Sequence, residues 1–359
     1  LEDLAKESVG HLVSKRQYDF VSPHYVGPVL LDVLGETDSL DLYEHPHRKL
    51  RDELALDSPS STSDSEASLS ELGTAATAHL EQIEVNLQDC ADRIDEAVFD
   101  CFGISEDQRE TVLQEIALRT NEDPRQREEY DPKSVTGPGD KFPEMIKDLL
   151  LHLSLHAVSK TDDGIIPISR IEGEDDLLEE IESEFERIWG EHADARLAEA
   201  DNVLGSQSAG EEAYPNLRTW LEEDLFNYHV TKFDRTPILW RFTTERLVSD
   251  PSGEGFACLV DYHQLDAGLF DRLQNHYLEP RKNFLSEQRT AANRRRNDDS
   301  LPTSKQAEAA EQYDRYESGL EQIEVFEERL VELVQSSPRD WDGANQTIAK
   351  DASNRVAEF

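Results

Sequence analysis

His152 and His156 lie four residues apart in "LLHLSLHAV", and on a helix that spacing brings two imidazoles to one side, where they can share a metal ion. A zincin-type helix needs Glu directly after the first histidine. Position 153 is Leu and no third ligand is placed, so no metal is expected and the pair reads as polar positions on a helix. Asp261, His263 and Asp266 are residue types that move protons, but structural hydrogen bonding is what is expected of them. Trp240 and Phe242 offer flat faces on which bases could stack, while their alternation with neighbours favours core packing. No catalytic residue is assigned. The stronger signal is basic: between Pro280 and Arg296 stand Arg281, Lys282, Arg289, Arg294, Arg295 and Arg296 against the single acid Glu287. Cations clustered along a helix are an electrostatic footprint for phosphates, and a guanidinium fork meets a phosphate or a guanine edge with two bonds. These six are the candidate DNA contacts; in the competing account they pair with the Glu-rich helix that follows.

The elements that would hold these residues follow from punctuation and period. Residues 1–56 stay unassigned around "VSPHYVGPVLLDVLG", where Pro23, Gly27 and Pro28 enforce turns. Residues 57–73 are Ser-rich and acidic, a composition that cannot offset its own ordering entropy and so reads as a linker. Over 74–122, Leu80, Ile83, Leu87, Ile94, Val98, Phe102, Val112 and Ile116 recur at helical spacing. Gly103 and Ser105 end one helix and cap the next, which predicts a helical hairpin. A Pro/Gly-marked linker, 123–141, leads into an α+β unit, 142–265. That unit holds a helix around His152, a short apolar strand over 165–168, and a helix over 216–233 with Leu217, Trp220, Leu221, Leu225 and Tyr228 on one face. Ile238, Trp240 and Phe242, then Phe256, Cys258, Val260 and Tyr262, alternate at period two across a Gly/Pro loop. This predicts a β-hairpin with helices covering it. Residues 266–335, with Leu320, Ile323, Phe326, Leu330 and Leu333 at three-to-four spacing, read as an antiparallel helical hairpin or coiled coil, and 336–359 form a tail. The fold class expected is mostly α (α+β).

The order of these elements resembles the C-terminal part of PglX, the adenine-specific DNA methyltransferase of BREX phage-defence systems, in its haloarchaeal form. The resemblance rests on "DGIIPI", an acidic helix ending in "WG", "LRTWLEEDLFNYHVTKFDRTPILWRFTT" and "FACLVDYHQLDAGLFDRLQNHYLEPRKN". The family's strand motif falls on Arg235, Pro237, Ile238 and Trp240, its Tyr-His on Tyr262 and His263, and its entry into a charged coiled coil on Leu273, Tyr277 and Pro280. "IDEAVFDCFGISEDQRETV" upstream is similar to a helical element of the same enzymes. The resemblance spans about residues 80–335 and is specific over 216–285. It implies a role in target selection within an enzyme that methylates adenine N6 from S-adenosylmethionine, with DNA and the catalytic domain or other defence-complex proteins as partners. The chain departs from the family in containing neither Asn-Pro-Pro-Tyr, whose Asn holds the target amino group while the aromatic ring stacks on a flipped base, nor a Gly-rich cofactor loop. Its ending after Pro338 is also unlike the family's. The expectation is a non-catalytic portion that binds no cofactor itself. The alternative, from another class, is a stand-alone helical interaction scaffold of a defence complex.

Asp and Glu number 78 against 36 Lys and Arg, a formal charge of −42, and 25 of the cations are Arg against 11 Lys. This is a halophile's balance, since molar salt shortens the Debye length to roughly 3 Å and screens the self-repulsion of an acidic surface. A content of 37% hydrophobic residues and four Trp argues for a folded core rather than a disordered acidic chain. Cys90, Cys101 and Cys258 form no CxxC pair and no even framework, which fits a reducing cytoplasm. No membrane span is expected. The chain opens on Leu1 and its single methionine is Met145, so it is expected to be a portion of a longer polypeptide. Dilution from molar KCl to roughly 0.1 M ionic strength should lower the melting temperature by exposing self-repulsion; a midpoint independent of KCl in a thermal scan would contradict this.

Overall fold

The computed structural model describes residues 2–35, 66–120, 134–171, 173–207, 213–247, 254–266 and 268–336. The expected tail from 337 onward, residues 57–65 and 123–133 of the two expected linkers, and 36–56 of the N-terminal segment lie outside these. The fold is mostly helical with one small antiparallel sheet, as expected. No helix among the described residues is long and apolar enough to cross a membrane. The chain divides into two compact units, Leu1–His152 with Phe185–Gln207, and Leu153–Glu184 with Ser208–Phe359. This division does not follow the sequence segments, because the C-terminal helical pair shares a unit with the sheet.

In the first unit, α1 (Glu2–Arg16) and α2 (Val29–Leu34) pack on the long α3 (Leu69–Phe102). Helix α3 begins inside the stretch read as linker 57–73. Ser68 and Glu71 form a capping box: the Glu71 N–H donates to Ser68 Oγ at 3.1 Å and the Ser68 N–H to Glu71 Oε2 at 2.8 Å. Two otherwise orphaned donors are thereby satisfied, and a Ser-rich composition hides a helix start. Gly73 sits inside this helix because a Cβ there would lie 2.5 Å from the Phe142 ring. At the other end Gly103 takes φ 64° and closes the helix with its N–H on Asp100, and Ser105 opens α4 (Glu106–Thr120), with its N–H on Gln108 Oε1 at 2.9 Å. The punctuation is as expected, but the hairpin is not formed. No residue of α4 is buried, and Phe102 and Leu118 are 78% and 81% exposed. Val98 on α3 and Val112 and Ile116 on α4 are exposed as well. The six residues of α2, in the segment left unassigned, are all buried.

Helix α5 (Phe142–Lys160) enters the second unit at Leu153, followed by β1 (Ile165–Pro167) and the first part of α6 (Leu177–Trp189); α7 (Ala193–Leu204) belongs to the first unit. Helix α8 spans residues 215–232 and contains a π-helical turn, Trp220–Asp224. It feeds β2 (Leu239–Thr243), which pairs antiparallel with β3 (Ala257–Asp261), Trp240 opposite Val260 and Phe242 opposite Cys258. The predicted hairpin is present, and β1 adds on the far side of β3, Ile166 opposite Leu259. Central β3 is buried from Ala257 to Val260, as a strand covered on both faces must be. Helix α9 (residues 269–296) and α10 (Thr303–Ser336) close the unit. Leu273, Tyr277, Leu278, Leu285, Leu320, Ile323, Phe326 and Leu330 join Phe242, Phe256, Cys258 and Val260 in one core. The Leu333 side chain lies outside the described ones. In α9 a π-helical turn, Leu273–Leu278, precedes Pro280. Proline has no N–H to donate and its ring crowds the preceding turn, so the wider turn accommodates it.

His229 on α8 is 1% exposed, beside the Phe233 ring at 4.7 Å, and its Nε2 accepts the Ile238 N–H at 3.4 Å, tying α8 to the start of β2. Burial pulls its pKa down to about 4. Because the folded value lies below the ordinary one, the unfolded chain takes up the proton first as pH falls. The stabilisation is therefore complete above about pH 6.5 and lost between there and about 4, at most about 3 kcal/mol. Denaturant unfolding at fixed KCl should show stability falling from pH 7 to pH 5, and His229→Gln should flatten that fall. Equal slopes in the two proteins would remove His229 from the pH dependence.

Candidate nucleic-acid interface

The basic segment runs along α9, and its residues differ in what they face. Arg281 is 4% exposed. Its guanidinium donates to the carbonyls of Gly255 at 3.0 Å, Arg170 at 2.7 Å and Glu254 at 3.2 Å and lies over the Phe284 ring at 5.3 Å. Burial pulls it down to about 10, opposed by the Glu254 carboxylate, so it stays charged at neutral pH. A guanidinium has five N–H donors, and these are directed at the protein's own backbone. Arg281 is thus a correction to the expected DNA patch: it joins α9 to the loops flanking the sheet.

Lys282, Arg289 and Arg296 are seven residues apart and share one stripe of the helix. That stripe faces α10. Lys282 Nζ meets Glu327 at 2.7 Å, Arg289 meets Glu317 at 3.8 Å, and the Arg296 guanidinium lies 3.7 Å from the Tyr313 ring centre. As α9 advances its partners recede along α10, so the pair is antiparallel, as expected. The ion-pairing account holds for Lys282 and Arg289. Partly exposed pairs of this kind are worth about 0–1 kcal/mol each, whereas each fully buried aliphatic side chain contributes about 1.5–3 kcal/mol. The apolar seam therefore holds the hairpin, and the charges favour its register.

Arg294 and Arg295 remain. Both are exposed at the hairpin tip, off the seam stripe, and neither has an ion pair among the described residues. Their place in the last turn of α9 also puts positive charge at the negative end of the helix dipole. Together with half-buried Arg296 and partly exposed Arg289, they are the cations that a phosphate could approach.

The family-motif residues gather in this same unit. Trp240 is half-buried against the core and stacks on Tyr262 at 6.2 Å, 28° between planes. Tyr277 is buried, its hydroxyl donating to Asp163 Oδ2 at 3.0 Å; burial and that carboxylate push its pKa far up. Pro280 follows the π-helical turn. Arg235 is exposed at a left-handed φ of 65°, with its N–H on the Val230 carbonyl at 2.9 Å, and Pro237 leads into β2. His263 is exposed, and its backbone N–H donates to Asp261 Oδ1 at 2.8 Å. Asp266 accepts from the Gly268 N–H at 2.8 Å and pairs with Arg272 at 2.9 Å. These acids hold turns.

His152 and His156 are both buried on α5: His152 Nδ1 lies 3.0 Å from the Tyr25 hydroxyl and His156 Nδ1 3.2 Å from Glu184 Oε1. Sequence reasoning missed Thr244 and Gln322, buried and joined at 3.1 Å, since polar residues at core positions carry no local signal. It also missed the seven-residue spacing of the seam cations, which was there to be read. Scanned against protein-family models the chain finds no match, and a search of curated proteins returns no relative.

Arg281→Met should cost about 3–5 kcal/mol, because it leaves a buried set of polar partners unsatisfied, while Arg294→Gln and Arg295→Gln should each stay within about 0.5 kcal/mol. Denaturant unfolding in high KCl checks the ranking; a silent Arg281→Met would overturn the account of the buried guanidinium.

Proposed function

We propose that the chain is the non-catalytic, DNA-recognition and scaffold portion of an N6-adenine DNA methyltransferase of the BREX type, working in the cytoplasm of a halophile. The catalytic domain, with its S-adenosylmethionine, would be supplied by the parent enzyme or its partners. The observation that carries the proposal is the hairpin tip: in a chain of net charge −42, Arg294 and Arg295 are presented to solvent while Arg281 and Lys282 are committed inside the fold. The resemblance over 216–285 adds to it, its motif aromatics Trp240 and Tyr277 lying against or in the core from which the hairpin projects. In molar salt, counterion release contributes little, so contacts here must rely on bidentate hydrogen bonding, which arginine supplies.

A second function, as an interaction scaffold, is favoured by Phe102 at the end of α3 and Leu118 on α4, both open to solvent. Two measurements separate the functions. DNA affinity across a KCl series should weaken in the Arg294→Gln, Arg295→Gln double variant, with its log–log salt slope flattened by up to about 2; an unchanged slope and affinity would leave the scaffold function. The pure chain should transfer no labelled methyl group to DNA, and incorporation would refute the non-catalytic assignment.

A further inference from the structure

Cys90, in the middle of α3, is 0% exposed. Glu7 and His11 stand four residues apart on α1, so they share one side of that helix. The Cys90 thiol, one His11 ring nitrogen and a Glu7 carboxylate oxygen all lie within 4.8 Å of one another. Two ligands at helical spacing on one element and a third from a partner more than seventy residues away are what a metal clip between two helices requires. We infer that Glu7, His11 and Cys90 form a binding site for a divalent, borderline-soft cation of the Zn²⁺ type, which fastens the N-terminal helix to α3.

The donor set selects the metal. Sulfur and imidazole nitrogen suit zinc and its neighbours, whereas the alkali and alkaline-earth ions of a salty medium prefer all-oxygen sites. Metal–ligand bonds of about 2.0–2.3 Å place tetrahedral donors roughly 3.5 Å apart. Closing to that spacing from the observed separations, all within 4.8 Å, would fall to side-chain rotation of Glu7, which is exposed, and His11, which is half-buried. Charge also balances: the cation takes up one carboxylate and one thiolate with neutral imidazole, leaving the site neutral. On binding, the Cys90 S–H bond breaks, a metal–sulfur bond forms, and the proton leaves to solvent. Because the thiol must lose its proton to bind, uptake is proton-coupled and tightens as pH rises. Arg93 Nη1 already donates to Glu7 Oε1 at 2.7 Å. A carboxylate has a second oxygen for the metal, and a hydrogen bond from outside is how ligating carboxylates are held in place. With three protein ligands, the fourth position falls to water.

The full chain, stripped with chelator and kept folded in KCl, should be titrated with Co²⁺ and followed by absorption. A thiolate-to-cobalt charge-transfer band in the near ultraviolet, intense visible bands of a tetrahedral ion, and saturation at a single equivalent are expected. Cys90→Ser should abolish the charge-transfer band, and Cys101→Ser, at the exposed cysteine, should leave it. His11→Ala should weaken cobalt binding at least about tenfold, since even the outer-shell partners of metal ligands cost that much when removed. No charge-transfer band in the unaltered chain would overturn the site. So would a band that survives Cys90→Ser or disappears with Cys101→Ser. Should Cys90→Ser fail to fold by circular dichroism, His11→Ala and Glu7→Gln decide, because neither ligand is buried; unchanged affinity in both would refute the proposal.

Discussion

A buried guanidinium must be met by oxygen on every side that water has left, and in the second unit Arg281 imposes that condition. Its carbonyl partners lie on the loop before β3, at Glu254 and Gly255, and on the segment after β1, at Arg170. One side chain therefore fixes two backbone segments against α9. The approach on the other side is equally tight. Gly319 on α10 lies so near the Glu254 carbonyl that a Cβ would come within 2.3 Å of it, and Thr244 reaches Gln322 across the same region. Because Arg281 cannot rotate away, the face of α9 is set as well. Leu278, Leu285 and Ala292 turn inward, the adjacent stripe of Lys282, Arg289 and Arg296 meets α10, and the remaining arginines are left at the tip.

Scarcity of cations gives this arrangement its meaning. With 78 acids to 36 bases, most cations have an acid within reach, and the structure shows many so engaged. Arg93 bridges Glu7 and Asp89, Arg218 meets buried Asp176, and Arg315 shares Glu254 with Arg281. Exposed pairs of this kind add little stability individually. Their effect is positional, holding long side chains where an acidic surface draws them. Arg294 and Arg295 stand adjacent on the surface without such a pair among the described residues.

The first unit depends on a different constraint, the length of α3. A helix spanning Leu69–Phe102 offers more surface than α1 and α2 cover, and its far end, together with α4, carries apolar side chains to solvent. The Arg109 guanidinium sits over the Phe99 ring at 5.5 Å and near Asp100, which holds the corner without burying it. The N-terminal part of α3 is more firmly embedded. The Leu69 N–H donates to Glu199 Oε2 at 2.7 Å, and Arg196 donates to the Glu66 carbonyl at 2.7 Å.

Local chemistry is where the sequence was sufficient. Gly103 permits the left-handed φ that ends α3, and Ser105 caps the next helix. Period-two alternation places β2 opposite β3, and three-to-four spacing marks the α9–α10 seam; each depends only on neighbours along the chain. The start of α3 was equally local, in Ser68 and Glu71, but a Ser-rich composition masked it. What tertiary structure alone decided was occupancy of faces. The same periodic pattern on α4 predicted a hairpin, yet α4 buries no residue and the far end of α3 stays open to solvent. Arg281 and Arg294 are the same residue type on one helix, and one is buried while the other is free in solvent, because their angular positions meet different elements. Charge is a property of the residue, but whether it faces a carbonyl, a carboxylate or water depends on segments far away in sequence. Which cations of α9 reach solvent is therefore decided by its register against the sheet and α10 rather than by its composition.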